Sequence, residues 1–342
     1  MVQNKKLRVG QIGVGGFGAY RRERLRETGL FELVAAYDRS PEALERCRRE
    51  DGAQPCASYE ELLAVPGLEA VIICTGAKYH AAQVIQAAER GLHVFVEKPL
   101  CGKADELQEL LASQKRSGVK IGVGHQDHTS DACSLAIKRK IDEGALGRIA
   151  AFEYTTAHSG GFAIQPGDWR GDPDCNPGGM LFQCGVHGLH ELMFYFGPVA
   201  EVFCLLRYDL HTTATADVAI CQLRFGSGLI GTLHAYHVTP YRHTLSIFGT
   251  QTNIYREELA FDEGTKLWLQ TTHLDGKKEP RVPLVVEGAT DACGSLRSFY
   301  EAIKRGGEPC PSLADGARAV QVVFAAEQSA RTGRPVRASL VK

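Results

Sequence analysis

"LRVGQIGVGGFG", residues 7–18, decides the architecture of this chain. Six residues of buried-strand character run into a glycine cluster, and "AYRRERLRE" (19–27) has helical composition. Gly13, Gly15 and Gly18 stand at the G-x-G-x-x-G spacing, in the strand, turn and helix context that gives the motif its meaning. Gly13 permits the tight turn, Gly15 lets the backbone approach a pyrophosphate, and Gly18 lets the helix pack close to the strand. The anion is expected on N–H groups at the start of the helix, where Gly16 and Phe17 lie. A second apolar run, "FELVAAYDRS" (31–40), ends in Asp38, 20 residues beyond Gly18. A carboxylate there accepts hydrogen bonds from adenosine ribose hydroxyls and repels a 2′-phosphate, which favours NAD over NADP. Arg39 is the counter-argument, because a guanidinium at that place stacks on adenine or pairs with a 2′-phosphate.

Outward from this motif the pattern continues. "EAVIICTGAKYH" (69–80) reads as a buried strand ending in Thr75 and Gly76, "AAQVIQAAERG" as a helix, and "LHVFVEKPL" (92–100) as another strand. A helix, "ADELQELLASQKRSG", and the strand "VKIGVGH" (119–125) follow. Strands alternating with helices of this length specify a parallel sheet covered on both faces, whose ligands bind beyond the carboxyl ends of the strands. Thr75, Gly76, His80, Glu97 and Lys98 lie at or just past such ends and are expected near the cofactor. Pro99 disfavours the α region for Lys98 and halts the strand, so the ammonium is presented from a fixed position.

Bulk properties narrow the function classes. At 342 residues two domains are expected. Composition is 44% hydrophobic and 23% charged with net charge −1, which fits a globular chain and argues against nucleic acid or an anionic membrane as partner. No apolar signal core follows "MVQNKKLRVG" and no stretch nears about 18 apolar residues, so a cytoplasmic location is expected. Eleven cysteines without regular spacing read as reduced thiols.

These motifs together resemble the glucose-fructose oxidoreductase/inositol dehydrogenase/MocA (Gfo/Idh/MocA) family. The residues that carry the likeness are the glycine fingerprint, Asp38, "TGAKYH" (75–80) and "EKP" (97–99). "EGALGRI" (143–149), "WR" (169–170), "GGMLFQCGVHGLH" (178–190) and the C-terminal "DGARAVQVVFAAEQSARTGRPV" extend it over essentially the whole chain. The resemblance implies an NAD-dependent oxidoreductase with a Rossmann domain, residues 1–125, and an α+β domain with a large open, mostly antiparallel sheet, residues 126–342. It also implies that the helix "GSLRSFYEAIKRG" (294–306) packs on the sheet domain, while the last helix, about 313–331, packs back toward the Rossmann domain. Where the family pattern is G-G-x-L-x-D-x-x-x-H-x-x-D, this chain has Gln183, His187 and His190, so His187 works without a carboxylate at position 183. Gly76 replaces the usual proline.

The second half agrees with that expectation. "RIAAFEYTTAHS", "EVFCLLRYD", "ADVAICQLRF", "LIGTLHAYHV" and "HTLSIFGT" are strand-like runs with few helices between them. Residues 179–196 carry helical spacing that places Gln183, His187 and His190 on one face. The helix with His187, His190 and Glu191 lacks the H-x-x-E-H order of zinc helices, so no metal is expected.

Oxidation of a secondary alcohol on a sugar, sugar derivative or cyclitol needs a base for the hydroxyl proton, and imidazole suits neutral pH. His187 is the candidate base and Lys98 the cation that stabilises the developing alkoxide, although the two roles are exchangeable. Gln126, His158, Asp168, Trp169, Arg170, Gln183 and His190 are candidate contacts for a polyhydroxyl substrate. Narrower alternatives are a keto-sugar reductase and a nucleotide-sugar or glycoside 3-dehydrogenase, and a more distant one is a non-catalytic NAD-binding regulator. Resemblance and an open sheet suggest a homodimer or homotetramer.

Overall fold

A computed structural model describes residues 5–211, 213–260, 264–271 and 279–338. The chain divides into two compact units, residues 1–127 with 292–317 and residues 128–291 with 318–342. The first unit runs β1 (Leu7–Ile12), α1 (Phe17–Thr28), β2 (Phe31–Tyr37), α2 (Pro41–Asp51), β3 (Gln54–Pro55), α3 (Tyr59–Leu63), β4 (Ala70–Ile73), α4 (Ala77–Glu89), β5 (His93–Val96), α5 (Glu106–Ser117) and β6 (Ile121–Val123). Its sheet is parallel in the order β3-β2-β1-β4-β5-β6, so the direction of winding reverses between β1 and β4. The apolar runs that mark β4, β5 and β6 are buried almost throughout, as strands covered on both faces must be. Local signals place the helix ends: Ser40 Oγ accepts the Ala43 N–H ahead of α2, and Gly29, Gly52 and Gly118 close α1, α2 and α5 in the left-handed conformation.

The second unit is built on α6 (Ala132–Asp142), β7 (Ile149–Ala157), α7 (Val186–Phe196), β8 (Val199–Arg207), β9 (Val218–Phe225), β10 (Ile230–Tyr236), β11 (Arg242–Gly249), β12 (Thr252–Glu258), β13 (Lys266–Thr271), β14 (Val282–Pro283) and β15 (Val336–Arg337). The sheet order is β14-β13-β12-β11-β7-β10-β9-β8-β15, antiparallel except where β10 runs parallel to β7. Alternation gives the sheet one buried face, with Phe152, Tyr154, Cys221, Leu223, Leu233 and Leu245. The other face exposes Leu205, Ile220 and Ile230, and Leu205 and Ile220 stand directly opposite each other across β8 and β9.

One expectation about the C-terminal third is corrected. Helix α8 (Gly294–Arg305) belongs to the first unit, where Leu296, Phe299 and Tyr300 pack against Leu7, Val9, Phe31 and Phe95 of the parallel sheet. The Phe95 and Phe299 rings meet edge to face at 5.6 Å. An amphipathic stripe records that a helix must cover apolar surface but not which sheet supplies it. The second expectation concerned α9 (Leu313–Thr332): its residues to Ala317 group with the first unit and those from Arg318 with the second. On the second unit Ser329 Oγ accepts the Cys204 N–H at 3.0 Å.

Candidate active site

In the first unit the glycine loop forms a cradle of backbone donors. Gly13 has φ +78°, and a Cβ there would lie 2.6 Å from the Cys74 carbonyl oxygen. A Cβ on Gly18 would lie 2.1 Å from the Gly13 oxygen, so only glycine allows α1 to start this close to β1. Asp38 closes the loop from the tip of β2: its Oδ2 accepts the N–H groups of Val14 (2.7 Å) and Gly15 (3.1 Å), and its Oδ1 accepts that of Ser40 (2.9 Å). The N–H groups of Gly18 and Ala19 turn back to the carbonyls of Gly15 and Gly16. Those of Gly16 and Phe17 enter none of these bonds, and a Cβ on Gly16 would meet no atom within 4 Å. N–H groups left over at a helix N-terminus, beside a carboxylate, are the donors and acceptor that a dinucleotide pyrophosphate and ribose require. Arg39 is exposed at the rim.

Behind the loop lies a buried polar layer. Gln11, fully buried in β1, donates from Nε2 to the carbonyls of Gly13 and Gly18, each at 2.9 Å. Glu97, expected at the cofactor, is 4% exposed, and its Oε1 accepts Arg21 Nε at 2.7 Å and Nη2 at 2.5 Å. That guanidinium also lies 5.0 Å from the centre of the Phe95 ring. A buried carboxylate needs a counter-charge, and α1 supplies it from 76 positions away, so the carboxylate ties α1 to the end of β5. His80 is likewise turned inward: Nδ1 lies 2.8 Å from the Pro99 oxygen and Nε2 2.9 Å from the Thr75 oxygen. Burial lowers its pKa against the pull of these two carbonyls. The Thr75 hydroxyl donates to Gln83 Oε1, and Gly76 caps α4. Lys98 is half-buried beyond β5, and its peptide bond to Pro99 is cis. Gln126 is exposed just past β6.

In the second unit the helix that sequence spacing predicts is present, with a difference at its start. Residues Leu181–Gly185 form a single wide π turn that runs directly into α7. Gln183 and Cys184 sit in that turn and His187 in the first turn of α7, all half-buried. Wide turns of this kind recur at functional sites because they re-aim side chains without ending the helix. His158, at the end of β7, comes to the same place: its Nε2 is 3.5 Å from Cys184 Sγ, and its Nδ1 accepts the Gly160 N–H at 2.9 Å. That acceptor role puts the proton of a neutral His158 on Nε2. His190 instead is buried, with its ring stacked on His128 at 5.1 Å. Asp168, Trp169 and Arg170 gather on one short turn, the Arg170 guanidinium 4.6 Å from the Trp169 ring centre and 3.4 Å from Asp168.

Two groups support this region in ways the sequence does not show: Glu191 enters the sequence reading only as a candidate metal ligand, and His237 not at all. Glu191, one turn beyond His187, is buried and takes its charge balance from Arg256 on β12, with the Tyr195 hydroxyl donating at 3.0 Å. Burial alone would raise the Glu191 carboxyl, but the Arg256 guanidinium outweighs it and holds the pKa at about 2. His237 lies beside His158 with ring centres 5.0 Å apart, and burial, reinforced by His158, His211 and Arg170, pushes its pKa down to about 4. No local signal marks either group, since each is defined by partners distant in sequence. Among the described residues no group of three His, Cys, Asp or Glu side chains could hold a metal ion, and no helix is long and apolar enough to cross a membrane.

A glycine cradle on a parallel sheet, closed by a carboxylate and followed by a second domain with a broad mixed sheet, defines an NAD-binding oxidoreductase of two-domain type. Sequence comparison agrees: the model of the oxidoreductase family, NAD-binding Rossmann fold, matches residues 7–125, and that of the GFO/IDH/MocA C-terminal domain matches residues 134–255. The chain belongs to the Gfo/Idh/MocA family. It is 27% identical over 343 aligned positions to scyllo-inositol 2-dehydrogenase (NAD(+)) of Bacillus subtilis strain 168, covering 97% of this chain and 96% of that one. Levoglucosan dehydrogenase of Pseudarthrobacter phenanthrenivorans is 25% identical over 95% of this chain and 96% of its own. Among solved structures, a protein of Desulfitobacterium hafniense described as an NADPH-dependent oxidoreductase superposes with a TM-score of 0.90 at 26% identity, covering 98% of each chain.

Proposed function

We propose that this protein transfers hydride between nicotinamide and a secondary alcohol or ketone of a sugar, sugar derivative or cyclitol. The observation that carries this reading is the cradle closed by Asp38, in a chain whose π turn carries Gln183 and whose following α7 carries His187. The relatives named for inositol and levoglucosan support the substrate class. NAD⁺, when bound, supplies the hydride acceptor. His187 is assigned the removal of the hydroxyl proton and Lys98 the stabilisation of the alkoxide. Gln183, His158 and the turn of Asp168, Trp169 and Arg170 are assigned to substrate hydroxyls, with Gln126 a further contact from the end of β6.

Asp38 supports NAD over NADP, since a carboxylate held at the tip of β2 by three N–H groups would accept ribose hydroxyls and repel a 2′-phosphate. The deciding experiment follows NADH or NADPH absorbance while inositols, anhydrosugars, aldoses, glycosides and nucleotide sugars are offered in turn. Reduction of NAD⁺ by one polyol class is the expected result. Response with NADP⁺ alone would overturn the Asp38 argument, and silence across the panel would overturn the substrate class. The apolar face bearing Leu205, Ile220 and Ile230 further supports a homodimer or homotetramer through the second sheet.

A further inference from the structure

We propose that Gln11 is a positioning residue of the dinucleotide loop, setting cofactor affinity without touching the cofactor. The proposal rests on the reading of the glycine cradle as the NAD site.

Gln11 is out of place by ordinary rules. It lies inside β1, a strand of a parallel sheet, with no exposed surface, where apolar side chains are the rule. Its amide is only half satisfied. Nε2 donates to the carbonyls of Gly13 and Gly18 at 2.9 Å each, with Cys74 Sγ a weaker neighbour at 3.8 Å, while Oε1 is buried with no partner. A buried amide oxygen without a donor is a standing cost, and a leucine or methionine of similar volume would avoid it. The donor half must therefore supply something that the fold alone does not require.

The two carbonyls it holds belong to the first and last glycines of the fingerprint. The Gly13–Val14 peptide is gripped at both edges: its carbonyl accepts from Gln11, and its N–H donates to Asp38 Oδ2 at 2.7 Å. The plane of that peptide is thus set by Gln11 on one side and by the ribose-binding carboxylate on the other. The same amide nitrogen would stand 3.1 Å from a Cβ on Gly18, so it also sets how close the first turn of α1 sits to the loop. The Gly16 and Phe17 N–H groups lie between these two anchored points, and their aim at a pyrophosphate follows from both. Without the amide donor, the Gly13 and Gly18 carbonyls lose a shared partner and the peptide plane keeps only its Asp38 edge.

The test uses the intact protein and needs no substrate. Gln11→Leu and Gln11→Met are compared with wild type in NADH titrations followed by nicotinamide fluorescence, and in thermal melts of the cofactor-free protein. NADH affinity is expected to fall by about tenfold in both variants, the worth of one buried hydrogen-bond donor, while the melting temperature of the cofactor-free protein moves little, since loss of the unpartnered Oε1 offsets the donor lost to the Gly13 carbonyl. Unchanged affinity in either folded variant overturns the proposal. So does a loss of affinity matched by a fall in melting temperature in both, which would mark Gln11 as merely structural. A wild-type protein that binds no NADH overturns the cofactor reading itself, and is told apart because the variants are then never reached.

Discussion

Lys98 and His187 are assigned the chemistry, and residues that do chemistry should fail differently from residues that hold a cofactor. Lys98→Ala and His187→Ala are each expected to lose turnover by about 10²- to 10⁴-fold on the true substrate while NADH affinity stays close to wild type. Paired steady-state rates and fluorescence titrations would check this, and near-native turnover in either variant would remove that residue from its role. His237 gives a prediction in pH. Its pKa of about 4 in the folded protein lies below the ordinary 6.5, so as pH falls from 6.5 towards 4 the unfolded chain takes up a proton that the native state refuses. Stability present above pH 6.5 is lost across that window, and His237→Phe should flatten the corresponding part of a plot of melting temperature against pH. At this scale the tight glycine loop and its closure by Asp38 are legible in sequence, because Gly13 and Gly18 shape the turn through their own backbone and Asp38 stands at a fixed offset along it. Glu97 and His80 are not: they stand at the expected strand ends, but their partners, Arg21 and the carbonyls of Thr75 and Pro99, turn them inward to hold the frame.

At the scale of elements, α1 and α7 are each fixed by one demanding contact. Gly18→Ala would set a methyl group against the Gly13 carbonyl, where no flexible side chain can yield. Displacement of α1 from β1 should weaken NADH binding by about tenfold or more, measurable by the same titration. Helix α7 depends on Glu191 and Arg256. Arg256→Met leaves a buried carboxylate without its counter-charge and should destabilise the protein by about 3–5 kcal/mol in denaturant melts, most of it recovered by adding Glu191→Gln. The linked acid sensitivity has a definite sign. Glu191 titrates near 2 in the native state and near 4.5 when unfolded, so its contribution is complete above pH 4.5 and disappears as pH falls to about 2. The helical period of residues 179–196 is legible from Leu181, Leu189, Leu192, Met193 and Phe196, whereas the π turn at its start is not. One extra residue per turn barely disturbs an apolar stripe, yet it changes the direction in which Gln183 and Cys184 point.

Across the whole molecule, the sheet face that exposes Leu205, Ile220 and Ile230 is expected to be covered by another copy of the chain. Light scattering behind a sizing column should report a dimer or tetramer, and Leu205→Glu with Ile220→Glu should lower the mass. A monomeric wild type would leave that face needing another explanation. The two kinds of sheet are readable from the switch between alternating helices and strands and consecutive strands, but the discontinuous course of the first unit is not, because α8 carries no mark of its host sheet. That discontinuity bears on biogenesis. A ribosome releases the glycine loop early, but the layer of Leu296, Phe299 and Tyr300 that seals β1, β2 and β5 arrives only after 160 or so intervening residues have emerged. The nucleotide-binding half is thus begun first and finished late, and a nascent chain stalled near residue 290 would present an unsealed apolar sheet to chaperones rather than a cofactor-competent domain.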